Sequence, residues 1–252
     1  MARLSRVVVW GCFAGAVAAG VAAGRPPAAD APDPIRKADP LGAMLADAKT
    51  AYARVRDYTC VFTRQERING VLSAEQVAEM KVRTKPYSVA VRFARPDAVA
   101  GREESFVAGS RLGKMRLRPA AGKLPVLVAL DDPKVTAEAR HPLTEYGIGP
   151  VIDLLAAAAA REKVLGNPVE AYAADYQFAG RNVTRYDVFA RRPHAHRYAY
   201  RTLVYVDKET GLPVRFEAYD APKPTAAAGD LLEAYSFTDV KLNAGLGDSA
   251  FE

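Results

Sequence analysis

Tyr200-Arg-Thr-Leu-Val-Tyr-Val206, Asp207-Lys-Glu-Thr-Gly211 and Leu212-Pro-Val-Arg-Phe-Glu-Ala-Tyr219 read together as a β-hairpin. The first run alternates and is rich in β-branched and aromatic residues, the composition of a strand. The second is a tight loop in which Gly211 can take positive φ. The third puts Leu212, Val214, Phe216 and Ala218 on one face and Arg215, Glu217 and Tyr219 on the other. Leu231 to Leu242 follows as another strand, so this part of the chain reads as the end of a large antiparallel sheet.

Working back, the same pattern recurs. Tyr58 to Glu66 alternates as a strand, and Asn69-Gly70 is the strongest short hairpin signal before a return strand at Val77 to Arg83. Tyr87, Val89, Val91 and Phe93 share one face of the next strand. Arg102 to Ala108 and Arg111 to Arg118 flank a Gly109-Ser110 turn, and Val126 to Leu130 is a short apolar strand. Tyr172 to Phe178, Asn182 to Ala190 and Tyr198 to Val206 resume the strands after an interruption. Two helices are expected. Leu41 to Arg56 has its apolar residues at helical spacing, with Asp39 as N-cap and Pro40 at the first helical position. Pro150 to Lys163 is an Ala-rich helix former stopped by Gly166-Asn167-Pro168.

Residues 1–24 are set aside. Arg3 and Arg6 precede an uncharged Ala-, Gly- and Val-rich run ending in small residues, the order of a secretory signal peptide. A retained N-terminal membrane anchor is the alternative. A lipoprotein reading through Val9-Trp-Gly-Cys12 leaves almost no apolar stretch before the cysteine. Residues 25–40 carry five prolines and read as a disordered linker, so the expected domain is 41–252. Net charge is +6, and removing the leader's two arginines leaves the charges mild and interspersed. No basic cluster suits nucleic acid. Cys60 is the only cysteine beyond the leader, so an intramolecular disulfide is excluded and a buried structural thiol expected.

The expected fold class is α+β, with helices against one face of the sheet. Periodicity leaves two forms open, a sheet that curls into an apolar concavity and a flat, helix-backed one. Tyr58-Thr-Cys-Val-Phe-Thr-Arg-Gln-Glu-Arg67, Lys81 to Val89, Arg140-His-Pro-Leu-Thr-Glu-Tyr-Gly-Ile148, Val206 to Val214 and Leu242 to Phe251 resemble an uncharacterised bacterial secreted-protein family, a domain of unknown function. The last two stretches are also similar to the LolA-like superfamily of outer-membrane lipoprotein carriers. That resemblance implies a strongly curved antiparallel sheet, an unclosed half β-barrel with helices covering or plugging its concave face. It also implies an exported, periplasmic or extracytoplasmic place. The chain departs from the carriers in its Ala-run helix and charged hairpin loops, so no carrier residue is mapped onto it, and fold alone does not carry function.

The chemistry of the residues is sparse. His194 and His196 sit at a basic hairpin tip without an acid nearby in sequence, so no metal is expected. His141 with Glu145 could act as a base, or Arg140 could hold an anionic group, and a structural turn is the plainer reading. Glu103 and Glu104 point to opposite faces and cannot form a catalytic pair. No nucleophile elbow or phosphate loop is present, so no enzyme and no cofactor is expected.

The expected function is an extracytoplasmic binding protein holding a lipid, lipoprotein acyl chain or other amphiphile, with a membrane surface as a further partner. Tyr87, Val89, Val91 and Phe93 are the candidate apolar lining, and Arg83, Arg102, Arg140 and His141 the candidate contacts to an anionic group. The alternative is an envelope scaffold whose concavity is filled by its own helices, with an envelope hydrolase behind both.

Overall fold

A computed structural model describes residues 39–252. The signal-peptide reading of 1–24 and the linker reading of 25–38 lie outside the described residues. Asp39 and Pro40 belong to the first helix: the Asp39 side chain accepts from the Gly42 N–H at 2.8 Å and Pro40 opens α1 (Pro40–Tyr52). The helix is shorter than expected and ends in a turn before Val55.

In chain order the strands are β1 (Asp57–Ile68), β2 (Val71–Leu72), β3 (Gln76–Arg83), β4 (Ser88–Arg95), β5 (Glu103–Val107), β6 (Met115–Arg118) and β7 (Val126–Val128). A short α2 (Pro133–Thr136) and the long α3 (Ile148–Val164) follow. Then come β8 (Glu170–Phe178), β9 (Arg181–Phe189), β10 (Arg201–Asp207), β11 (Pro213–Tyr219) and β12 (Leu231–Leu242). All strands join one antiparallel sheet, ordered β7-β6-β5-β4-β3-β1-β12-β11-β10-β9-β8, with β2 paired only to β1. The sheet is curved and unclosed, and its edges β7 and β8 are not paired to each other. Asn69 and Gly70, both at positive φ, form the two-residue turn between β1 and β2.

The connectivity explains the position of the helix. The sheet is two meanders, β3 to β7 and β8 to β12, meeting through β1 against β12. The chain must cross from one edge, β7, to the other, β8. It does so through α3, which therefore lies across a face. That face is the apolar one. Tyr58, Phe62, Met80, Val89, Val91 and Phe93 from one half, and Val204, Phe216 and Phe237 from the other, meet Met44 and Ala48 of α1 and Ile148, Val151, Ile152 and Leu155 of α3 in one core cluster. Among the described residues no helix is long and apolar enough to cross a membrane.

The expected lining row is thereby placed. Val89, Val91 and Phe93 are buried in the core, and Tyr87 packs against it while donating its hydroxyl to the Tyr146 carbonyl at 2.5 Å. The strand period identified the apolar face of β4. It could not say which part of the chain meets it, because that contact is set by the crossover: Tyr146 accepts from Tyr87, and Arg64 stacks on the rings of both Phe93 and Tyr146.

Candidate functional site

Two features stand out from the core: a buried charge cluster and a cavity. The cluster begins with Glu66 and Glu233, directly opposite each other on β1 and β12 and both essentially without exposure. Like charges facing across a ladder repel, so such a pair needs compensation. It comes from the crossover. Arg140 approaches Glu233 Oε2 through Nε at 3.2 Å and donates its backbone N–H to Glu66 Oε2 at 3.3 Å. His141 places Nε2 2.9 Å from Glu233 Oε2 and Nδ1 2.7 Å from Glu145 Oε2. The Tyr235 hydroxyl lies between Glu66 and Glu233. Arg64 stacks on the rings of Phe93 and Tyr146, bonds Gln76 through Nε at 2.8 Å, and completes the ring of cations near Glu66.

Burial alone would lower the His141 pKa, but the hydrogen bonds and negative charge of Glu233 and Glu145 outweigh it and hold the imidazole up at about 9. With a carboxylate at each ring nitrogen, the imidazolium has no free lone pair at neutral pH. The geometry thus gives His141 two carboxylate partners, where a base role with Glu145 alone is considered from the sequence. Arg140 and His141 instead clip the crossover to the seam of the sheet. Arg140 keeps part of its guanidinium exposed, whereas His141 is largely covered.

The next residues are fixed by tyrosines. The Ile148 N–H donates to the Tyr58 hydroxyl at 2.8 Å. The Gly149 N–H faces the Tyr52 hydroxyl, whose pKa burial pushes up to about 12 while that N–H pulls it down. A Cβ at Gly147 would lie 2.6 Å from the Tyr58 hydroxyl, and one at Gly149 2.4 Å from the Tyr52 ring. The Tyr146-Gly-Ile-Gly149 stretch is thus the socket into which α3 is set.

The other candidates are also ion-paired. Arg83 meets Asp248 at 2.6 Å and stacks on Phe251. Arg102 meets Glu104 at 2.7 Å and also Glu138. Glu103 and Glu104 do face opposite ways, Glu104 into the core side and Glu103 toward Arg92 and Arg118. His194, read from the sequence as lying at a basic hairpin tip with no acid nearby, does have an acidic partner. Its Nε2 lies 2.7 Å from Glu162 of α3, an acid distant in sequence. Cys60 is buried, and its thiol is pushed up to about 12 by burial. Among the described residues no group of three or more His, Cys, Asp or Glu is placed to hold a metal ion.

The cavity lies where the sheet splits. Pairing of β11 with β12 runs only to Arg215 opposite Ser236, whereas β12 continues along β1 to Leu242 opposite Tyr58. Asp239, at positive φ, marks the irregular step. The space between the departing strand and the β8–β9 and β10–β11 turns holds about 390 Å³. Its apolar lining is Ile148, Phe178, Leu212, Val214, Phe237, Val240 and Leu242, and its polar lining Arg181, Asp207, Glu209, Thr210, Thr238 and Asp239. A more open groove of about 680 Å³ runs between the start of α1 and the end of α3, bordered by Asp39, the first described residue. Little of the cavity beside β12 is legible in the sequence. Asp207 to Gly211 was legible as a turn, but nothing in the pattern announced that β12 outruns β11.

Fold and site together define an α+β protein with an open, curved antiparallel sheet, internal helices and one mixed-lined cavity at a break in the sheet. The chain belongs to the family described as "Protein of unknown function (DUF1571)", whose model matches residues 55–252. This agrees with the resemblance to a domain of unknown function. No curated protein matches the chain. Among solved structures it is similar to lipoprotein LppX of Mycobacterium tuberculosis, with 9% identity, TM-score 0.48, and coverage of 84% of this chain and 99% of that one. It is also similar to a LolA superfamily protein of Nitrosomonas europaea, with 10% identity, TM-score 0.33, and coverage of 84% and 97%. A third is a chain of the Pseudomonas aeruginosa MucA/MucB complex, with 14% identity, TM-score 0.49, and coverage of 84% of this chain and 60% of that one. At these scores each is a likeness only and brings no function to the chain.

Proposed function

We propose that this protein is a non-enzymatic, exported binding protein that holds the apolar part of a lipid, lipoprotein acyl chain or similar amphiphile in the cavity beside β12. The observation that carries this reading is the cavity itself. Its volume of about 390 Å³ falls at the lower end of the range of small-ligand sites, and apolar side chains line it with polar groups gathered among them. Each methylene transferred from water contributes about 0.8 kcal/mol, so a single chain of modest length is held usefully by such a site. The space suits one chain rather than a two-tailed lipid, since the rest of the inner face is packed into the protein's own core. Export rests on the leader-like order of residues 1–24.

The test is uptake. Delipidated protein should take up a fluorescent single-chain amphiphile at micromolar concentration, and Val240→Trp, which fills the cavity, should abolish uptake while leaving the circular dichroism spectrum unchanged. Equal uptake by the filled variant removes the cavity from consideration. A scaffold reading is favoured by one observation, the burial of Val89, Val91 and Phe93 in the protein's own core. It gains the field if no amphiphile binds and none co-purifies in native mass spectrometry.

A further inference from the structure

The polar side of the cavity is lopsided. Three carboxylates line it, Asp207, Glu209 and Asp239, against one guanidinium, Arg181. Arg181 is already engaged by two of the three: it pairs with the buried Asp207 and reaches Glu209 at 2.9 Å. Lys208, the neighbouring cation, is turned to Asp175 at 2.6 Å. Asp239 is exposed and, among the described residues, pairs with no cation; it lies at the irregular step in the pairing of β12 with β1.

A helix start would ordinarily offer anions a counterweight, because its first N–H groups are unpaired. Here that option is closed. Ile148, the α3 residue in the cavity wall, donates its N–H to Tyr58, the Gly149 N–H faces Tyr52, and Pro150 has none. The cavity therefore presents one carboxylate without a cationic partner among the described residues, with only the neutral Thr210 and Thr238 hydroxyls as further side-chain donors beside the engaged Arg181.

Resting on the binding reading above, we infer that the site selects a single apolar chain whose polar end is cationic, and discriminates against carboxylate- or phosphate-ended chains. The apolar wall holds the tail and the Asp239 side receives the charge. The contribution is one of selection among tails of equal length, since an exposed rim charge is screened by salt.

The experiment compares three ten-carbon probes by calorimetry on the purified protein, each below its micelle-forming concentration: decyltrimethylammonium, decyldimethylamine oxide and decanoate. At low ionic strength the cation should bind about tenfold tighter than decanoate, a gap of about 1.4 kcal/mol, narrowing at high salt. Asp239→Asn should close most of that gap, and Asn is tolerated at the positive φ of this position. Glu79→Gln, on the outer face of β3, should leave it open. Decanoate binding as tightly as the cation, while the amine oxide also binds, overturns the inference and leaves the binding reading standing. Binding of none of the three overturns both.

Discussion

Glu233 has no measurable exposure and sits beside Glu66, yet neither is isolated, because Arg140 and His141 reach them from a segment more than 70 residues from β1 and 90 from β12. This placement has a pH signature. The folded imidazole is held at about 9 against an ordinary 6.5, so its stabilising contribution is complete below about 6.5 and is lost as pH rises through 9. The size is on the order of 3 kcal/mol. Thermal melts across that window should show a falling midpoint, and His141→Gln should flatten the fall. A curve for His141→Gln parallel to that of the parent would dissociate the imidazole from the effect. Gly149 makes a second residue-scale prediction. Gly149→Ala pushes a methyl against the Tyr52 ring and should cost about 1–3 kcal/mol in urea unfolding, although its φ is unremarkable. Burial of Cys60 predicts that iodoacetamide labelling, followed by peptide mapping, leaves this thiol unmodified until the protein unfolds.

At the scale of elements, much was legible in advance. The alternation in Tyr58 to Glu66 and in Leu212 to Tyr219, the Asn69-Gly70 turn and the Asp39-Pro40 start of α1 are local signals, and each lies where the local physics puts it. The sequence pattern starts α3 at Pro150, two residues after its true start at Ile148, because the tyrosine hydroxyls that stabilise that start come from α1 and β1. The same reason hid the site. Glu162 with His194, Glu66 with Glu233, and the cavity wall all depend on which elements meet, and one sequence does not encode that in a period. The first cap is open to a direct measurement: Asp39→Ala should destabilise the protein by about 1 kcal/mol, and no change in the unfolding midpoint would show that α1 is held by packing alone.

The molecule as a whole is organised around a seam in which β1, near the start of the described chain, pairs with β12, near its end. Both are flanked on each side, while β7 and β8 are edges, so amide hydrogen exchange should be slowest in β1 and β12 and fastest toward the edges. The seam also dictates an order of events during synthesis. Pairs such as Phe62 with Phe237 span most of the chain, and ordering so long a loop is unfavourable until both ends are available. A nascent chain stalled before residue 231 has a β1 with one bare flank and an inner face that cannot be completed. The native sheet therefore closes its seam only after β12 has been made, and until then β1 is a strand waiting for its second neighbour.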